Sequence, residues 1–343
     1  MSPLSIDLTP LEHSPRLLLS IPLRPVQGQR FQPTGFPGLG AATFQTAKGL
    51  NLLVESAQSM ANRLETVCWD EATQSPVAAL SGLSHVRVTR KGAFFTDTML
   101  EAHRLNSPYL LESKNKTFAE NLKKELGSLG EGPIDRRKLA AVLLKYDANS
   151  LIHGVFLAKK ELAGGRLRVA RALSAFIEAD GVRVAASGGV KNDHVNPQGS
   201  AKEGFGNVPF SRDEYTAERL TLFVNLDVAL LRGYGLPATA VRMLTLLALY
   251  KVATLVEGGL RLRTACDLVR ADSGPLTADA PAGWVVPSAA QLATALQAAI
   301  QAVGSAMVIT DFAYEDEFKK AKSSGEDPQG DEDTTGGSET SED

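Results

Sequence analysis

Apolar and polar positions alternate along this chain in two registers, and the clearest change from one to the other falls in residues 50–65, LNLLVESAQSMANRLE. Leu50, Leu52, Leu53 and Val54 form an apolar run of strand length. Ser56 then suits a helix N-cap, because its hydroxyl accepts a backbone N–H that the first turn leaves unpaired. Beyond it Ala57, Met60, Ala61, Leu64, Val67 and Cys68 recur at helical spacing and predict a buried stripe. Gln58, Ser59, Asn62 and Arg63 fall on or beside the exposed flank. Hydroxyls, an amide and a guanidinium on the first two turns suit a phosphate backbone, whose charge the free N–H groups of a helix start also favour. An ordinary solvated helix face fits the stretch as well, and on this stretch alone that reading comes first.

The same patterning predicts the other elements. Residues 16–24, RLLLSIPLR, read as a strand that ends with Arg24 before Pro25. The following PVQGQRFQPTGFPGLGAA is punctuated by Pro and Gly and predicts an irregular loop, with Gln27, Arg30 and Gln32 set beside Phe31 and Phe36. A loop of that length in a compact domain is functional or disordered, and aromatic residues interleaved with basic ones favour binding. Residues 84–90 alternate as a strand, and helices are expected over 117–126 and 136–146. Between them EAHRLNSPY places His103, Arg104 and Asn106 in a turn, where solvation is the default, and His153 lies in an apolar segment as a core histidine. Residues 165–178 read as a strand whose basic edge carries Arg166, Arg168 and Arg171. Residues 182–214 hold too much Gly, Asn, Pro and Ser for a core, and predict a projecting loop or long hairpin. A buried strand over 219–231, an apolar helix from Pro237 to the glycines at 258–259, an Arg-bearing strand or turn at GLRLRTACDL, a helix over 288–303 and a last strand over 306–312 complete the reading. Arg242 and Lys251 argue against a membrane span for the long helix.

Composition narrows the function classes. With 343 residues, 43% of them hydrophobic, the chain buries a large core. Cys68 and Cys266, its two cysteines, suggest neither a disulfide framework nor a zinc cluster. The net charge of -3 conceals an asymmetry: residues 313–343 carry 11 acids and 3 lysines, which leaves the remainder at +5. That acidic end has little to bury and reads as disordered. Residues 203–210, EGFGNVPF, partly imitate an RNA-binding strand motif, but Glu203, Asn207 and Pro209 break it. No Walker loop, nucleophile elbow, zinc-binding HExxH pair or CxxC pair is present, and five scattered histidines give no metal-ligand spacing.

The order of segments IPLRPVQGQRFQPTGFPGLGAA, LLVESAQSMANRLE, HRLNSP, KYDANSLIHGVFLA, RALSAFIEADGV, SGGVKND, GFGNVPFSRDEYTA and GLRLRTACDL resembles the backbone subunit of a type I-G (formerly I-U) CRISPR Cascade, a Cas-seven-type protein of the RAMP superfamily. The likeness runs over about residues 16–268. It implies an α+β fold, an RRM-like (ferredoxin-like) palm with an inserted fingers region at about 70–160 and a projecting thumb hairpin at about 185–212. These would form one elaborated domain over 1–312, followed by an acidic disordered tail over 313–343. It implies a cytoplasmic scaffold that binds CRISPR RNA, polymerises with further copies of itself along the guide and presents the guide to target DNA in antiviral defence. Neither catalysis, cofactor nor metal is implied. The other implied partners are the large subunit, a fused Cas-five/Cas-six-type subunit and a recruited helicase-nuclease.

The family's S-x-Q-S-x-(K/N)-R segment, which contacts the guide backbone, falls on Ser56, Gln58, Ser59, Asn62 and Arg63. The thumb supplies Lys191, Asn192 and His194, and the GLRLRT segment Arg261 and Arg263. Arg24, Gln27, Arg30, Gln32, His103, Arg104, Asn106, Arg166, Arg168 and Arg171 complete the candidate RNA-binding set. The competing reading is a metal-dependent ribonuclease, as in the type III branch, with Asp193, Asp97 or Asp147 as its loop aspartate. A third, a small-molecule binder built on residues 16–42, predicts ligand affinity from a monomer.

Overall fold

Strand β1, Arg16–Pro25, turns Leu17, Leu19, Ile21 and Leu23 inward and leaves Leu18, Ser20, Pro22 and Arg24 on its outer face, the period of two that a half-buried strand requires. It lies inside an eight-stranded sheet, seen in a computed structural model that describes residues 6–36, 40–129, 132–200, 203 and 205–317. The other strands are β2 (Gly35–Phe36), β3 (Gly40–Thr46), β4 (Gly49–Glu55), β9 (Leu173–Asp180), β12 (Arg219–Asp227), β13 (Leu260–Arg263) and β14 (Cys266–Arg270). Their order is β13-β14-β1-β12-β9-β4-β3-β2, and every pairing is antiparallel.

Two helices occupy the crossovers: α1 (Ala57–Thr66) between β4 and β9, and α5 (Ala238–Gly258) between β12 and β14. Taken as β1, α1, β9, β12, α5 and β14, the chain places its first strand between the fourth and the third, with the second outermost. The inner face, with Ala175, Ile177, Ala179, Leu222 and Val224, is buried in one apolar cluster with Met60 and Leu64 of α1 and Leu244, Leu247 and Leu255 of α5. Helix α6 (Ala289–Val303) packs along α5. Among the described residues α5 alone is long and apolar enough to cross a membrane, and it is mostly buried inside this core.

Residues after α1 build a second layer. β5 (His85–Arg90) pairs antiparallel with β6 (Ala93–Asp97) and parallel with the C-terminal strand β15 (Ile309–Ala313). Helices α2 (Thr117–Leu126) and α3 (Arg136–Tyr146) cover it, with Phe118 edge-on to Tyr146 and Phe312. Tyr314 stacks on Phe95, and Asp316 accepts the Lys114 amide at 2.8 Å. The chain is therefore fastened to Asp316, past the expected start of the acidic tail, whose remainder from 318 lies outside the described residues.

The region expected to project is a hairpin, β10 (Arg183–Lys191) with β11 (Val208–Thr216), paired along its full length. Nine residues per strand make it roughly 30 Å long. Most of its side chains are exposed on both faces, so it holds no core of its own.

Three expectations are corrected. The strand over 165–178 is two: β8 (Leu167–Val169) pairs with β7 (Val155–Leu157), and the chain changes sheets before β9. Gly154 (φ 80°) makes the change possible, because a Cβ there would sit 2.9 Å from the Val169 carbonyl oxygen. The strand from Arg219 stops at Asp227, whose carboxylate caps helix α4 (Val228–Gly233). Residues 40–42, read as the end of the loop, open β3, a largely exposed strand with no apolar alternation to reveal it.

Candidate nucleic-acid interface

The junction of β4 and α1 is built around a buried acid. Glu55 ends the strand with no exposed surface and accepts hydrogen bonds from the hydroxyls of Thr34 and Ser59 and from Arg63 Nε at 2.8 Å. A carboxylate is stable out of water only when donors surround it, so these three groups are fixed in place by it. Arg63 continues outward, donating to the carbonyls of Arg261 at 3.1 Å and Leu262 at 2.9 Å. The Gln32 amide donates to the Ala265 carbonyl at 2.8 Å, and Arg171 to the Ala57 carbonyl at 2.8 Å. Three distant segments, 32–34, 55–63 and 261–265, are thereby tied into one surface.

That surface offers donors. Ser56 caps α1 by accepting the Ser59 amide at 3.3 Å. Gln58 and Asn62 are exposed on the next turns, as is Arg261, while Gln32 is half-buried. The Nε of Arg263 is buried without a hydrogen-bond partner. Burial and the Arg104 guanidinium lower the pKa of half-buried Arg171. Of the acids here, Glu55 is an internal tether as described, Glu214 is buried and pairs with Arg212 at 3.0 Å and Arg30 at 3.6 Å, and Asp267 is half-buried across the β13–β14 hairpin from Arg261. Sequence spacing placed Ser59 and Arg63 on the exposed flank; both are half-buried and held by Glu55, so they shape the surface more than they present themselves. Phe31 is likewise an anchor, fully buried, with its amide and carbonyl paired to those of Tyr215 at the base of the hairpin. The side chain of Phe36 lies outside the described residues.

Gln27 and Arg30 adjoin this surface, sharing a cavity with Thr264, Ala265, Glu214 and Asp267. Arg24 is exposed near the end of β1, and the remaining candidates lie elsewhere. Lys191, Asn192 and His194 are exposed at the hairpin tip, and Arg166 and Arg168 are exposed at and beside β8. Of HRLN, His103 is exposed and the Asn106 carboxamide accepts the Ala158 amide at 3.0 Å. Arg104 is a correction: it is buried, its backbone in the left-handed region (φ 50°), and its guanidinium grips both oxygens of Glu65 at 2.8 and 2.9 Å and the Gly154 carbonyl at 3.1 Å. A guanidinium so engaged positions α1 from below and presents nothing to a ligand.

Sequence reasoning missed this inner network. Glu65 also accepts from Asn149 Nδ2 at 2.7 Å, and Asn149 Oδ1 accepts from the fully buried Lys251 at 2.6 Å. Lys251 stands 3.1 Å from His153 Nε2, and burial together with Lys251, Arg104 and Arg171 holds the His153 pKa well below its usual value. The signal available was a pair of charges, Glu65 and Lys251, inside apolar helical stretches. Each aspartate of the ribonuclease reading is also committed. Asp97 bonds His85 at 2.6 Å, and Asp147 accepts the Ser150 hydroxyl at 2.6 Å. Asp193 accepts the amides of Val195, Asn196 and Gly206, which lower its pKa and close the hairpin tip.

Comparison with known proteins adds the following. A search of the curated proteins returns no match. A chain of a solved structure titled CRISPR RNA-guided surveillance complex, pre-nicking, is similar over 74% of this chain and 75% of that one, at 13% identity and a TM-score of 0.35. Residues 17–184, just short of half the chain, match the family described as CRISPR-associated protein GSU0053 (Cas_GSU0053). This stretch contains β1, β4, α1 and the second layer apart from β15.

Proposed function

We propose that this protein is a CRISPR RNA-binding backbone subunit of a Cascade-type effector complex of type I-G. One observation carries the reading: within and beside the segment that matches the CRISPR-associated family, three separated stretches converge on a helix start whose exposed side chains are donors and whose adjoining acid, Glu55, is buried and paired. Such a surface suits phosphates and leaves base edges free for pairing with target DNA.

In this reading the four-strand connectivity of the large sheet is an RRM-like palm, the second layer is the fingers and the exposed hairpin is the thumb. A hairpin without a core is stable at its far end only against another molecule, which fits copies stacked along the guide. Affinity then accumulates over neighbours, so a modest positive body is sufficient. The role is a scaffold's, in the cytoplasm, with the large subunit, a fused Cas-five/Cas-six-type subunit and a recruited helicase-nuclease as its other partners. The commitments of Asp193, Asp97 and Asp147 weigh against a catalytic aspartate. The test is to incubate the assembled complex with complementary RNA and Mg²⁺. The scaffold reading expects intact RNA; regularly spaced cuts lost in Asp193→Ala would overturn it.

A further inference from the structure

A second donor-lined cleft shares no residue with the β4–α1 junction. It lies between the β7–β8 hairpin, the first turn of α3 and helix α4 with its C-cap Tyr234, and encloses about 1200 Å³. Among the described residues that line it are three guanidiniums, those of Arg136, Arg166 and Arg168, and no carboxylate. Arg166 is oriented by the carbonyls of Ala163 at 3.2 Å and Leu129 at 3.1 Å, while Arg136 and Arg168 are exposed. Directly across the hairpin from Arg168 stands Phe156, 53% exposed. Tyr234 forms a fixed wall, buried, its hydroxyl donated to the Leu151 carbonyl at 2.8 Å.

These features select a ligand class. The cleft exceeds the roughly 300–1,000 Å³ of ordinary small-molecule sites. The cavity beside α2 has a different lining, in which Lys116, Lys123 and Lys159 face Glu112, Glu120 and Glu161. The exposed guanidiniums of Arg136 and Arg168, with no carboxylate among the described lining residues, fit a polyanion, and an exposed aromatic ring beside them fits an unpaired base, whose π-face is available in a single strand and covered in a duplex. We infer that this cleft is a second nucleic-acid subsite that takes a short unpaired stretch, with Phe156 stacking one base and Arg136 and Arg168 holding the flanking phosphates. The inference rests on the reading of the protein as a nucleic-acid scaffold. The strand it takes is one not engaged at the α1 surface, so both sites are filled together.

The test titrates the full-length protein with fluorescently labelled oligouridylate and oligothymidylate by anisotropy, at salt from about 50 to 200 mM. Phe156→Ala should weaken binding about tenfold. Arg136→Ala and Arg168→Ala should each reduce the slope of log K against log salt by about 0.7. Gln58→Ala/Asn62→Ala provides the comparison. If that pair weakens binding while the three cleft variants match wild type in affinity and slope, the cleft inference fails and the scaffold reading stands. If wild type binds neither oligonucleotide, both fail. Cleft variants that keep full nucleic-acid affinity but lose association with the other subunits would also overturn the inference, assigning the cleft to a protein. A preference of the cleft for oligothymidylate over oligouridylate supports it and identifies the strand as DNA.

Discussion

Replacing Glu55 with Gln probes the tether that assembles the proposed interface. The side chain is fully buried and accepts from Thr34, Ser59 and Arg63, and the substitution keeps its shape while removing its charge. Hydrogen bonds to a charged group contribute about 1.5–3 kcal/mol each, and removing one partner of a buried pair costs about 3–5 kcal/mol. Arg63 keeps a quarter of its side-chain surface in water and two carbonyl acceptors, and Gln retains one acceptor oxygen, so the expected loss is about 2–4 kcal/mol. That is a large part of the ~5–15 kcal/mol of a folded domain, yet leaves it folded. Urea titration should show a lower midpoint at constant slope. The binding assay separates two physical accounts. Removing a negative charge near a nucleic-acid site would by field alone tighten binding, whereas loss of the tether lets 32–34 and 261–265 separate from α1 and weakens it. A midpoint shift below about 0.5 kcal/mol, or tighter binding to oligouridylate, would refute the reasoning.

Other outcomes follow from the inner network and the C-terminus. Arg104→Ala takes the guanidinium from the buried Glu65 carboxylate, leaving it the Asn149 side-chain amide, and should cost about 3–5 kcal/mol in urea melts, while the salt dependence of RNA binding by the folded protein stays unchanged, since the Arg104 guanidinium is turned to Glu65 and Gly154. Burial raises the Asp147 pKa from 3.8 to about 7, so the fold prefers its protonated form; that contribution is whole below about pH 4 and is lost as pH rises through 7. Asp147→Asn should therefore flatten the decline in stability between those limits and raise stability above pH 7 by at most about 4 kcal/mol, read from denaturation at several pH values. His153 works in the opposite sense, its depressed pKa adding stability that is lost as pH falls below about 6.5, and the variant should keep that acid limb. Removing residues 313–343 takes Tyr314 from the Phe95–Tyr109 cluster and should lower stability by about 2–4 kcal/mol, read from urea melts.

Periodicity made much of this molecule legible. The strand at residues 16–24, the helices over 117–126 and 136–146, the capped start of α1 and the bare hairpin are all written in local patterns. What was illegible is non-local. Arg63 and Gln58 look alike in spacing, and only the fold reveals that one turns to Glu55 and the β13 carbonyls while the other faces outward. HRLN reads as a solvated turn because nothing near it in sequence announces Glu65. β3 was missed because both its faces are largely exposed, and the break at residue 170 because it depends on a close approach to Gly154. Glu55 itself carried a signal, a lone acid closing an apolar strand just before a helix cap.

The central claim, that this chain binds a guide along the α1 surface, is tested most directly by purifying it with its partner subunits from cells that transcribe a CRISPR array and sizing the nucleic acid that comes with it. The account predicts one RNA of discrete length, reduced or absent when Gln58 and Asn62 are both Ala in a protein that still folds. Recovery of no RNA, of RNA of random length, or of the same discrete RNA with the double variant would contradict it.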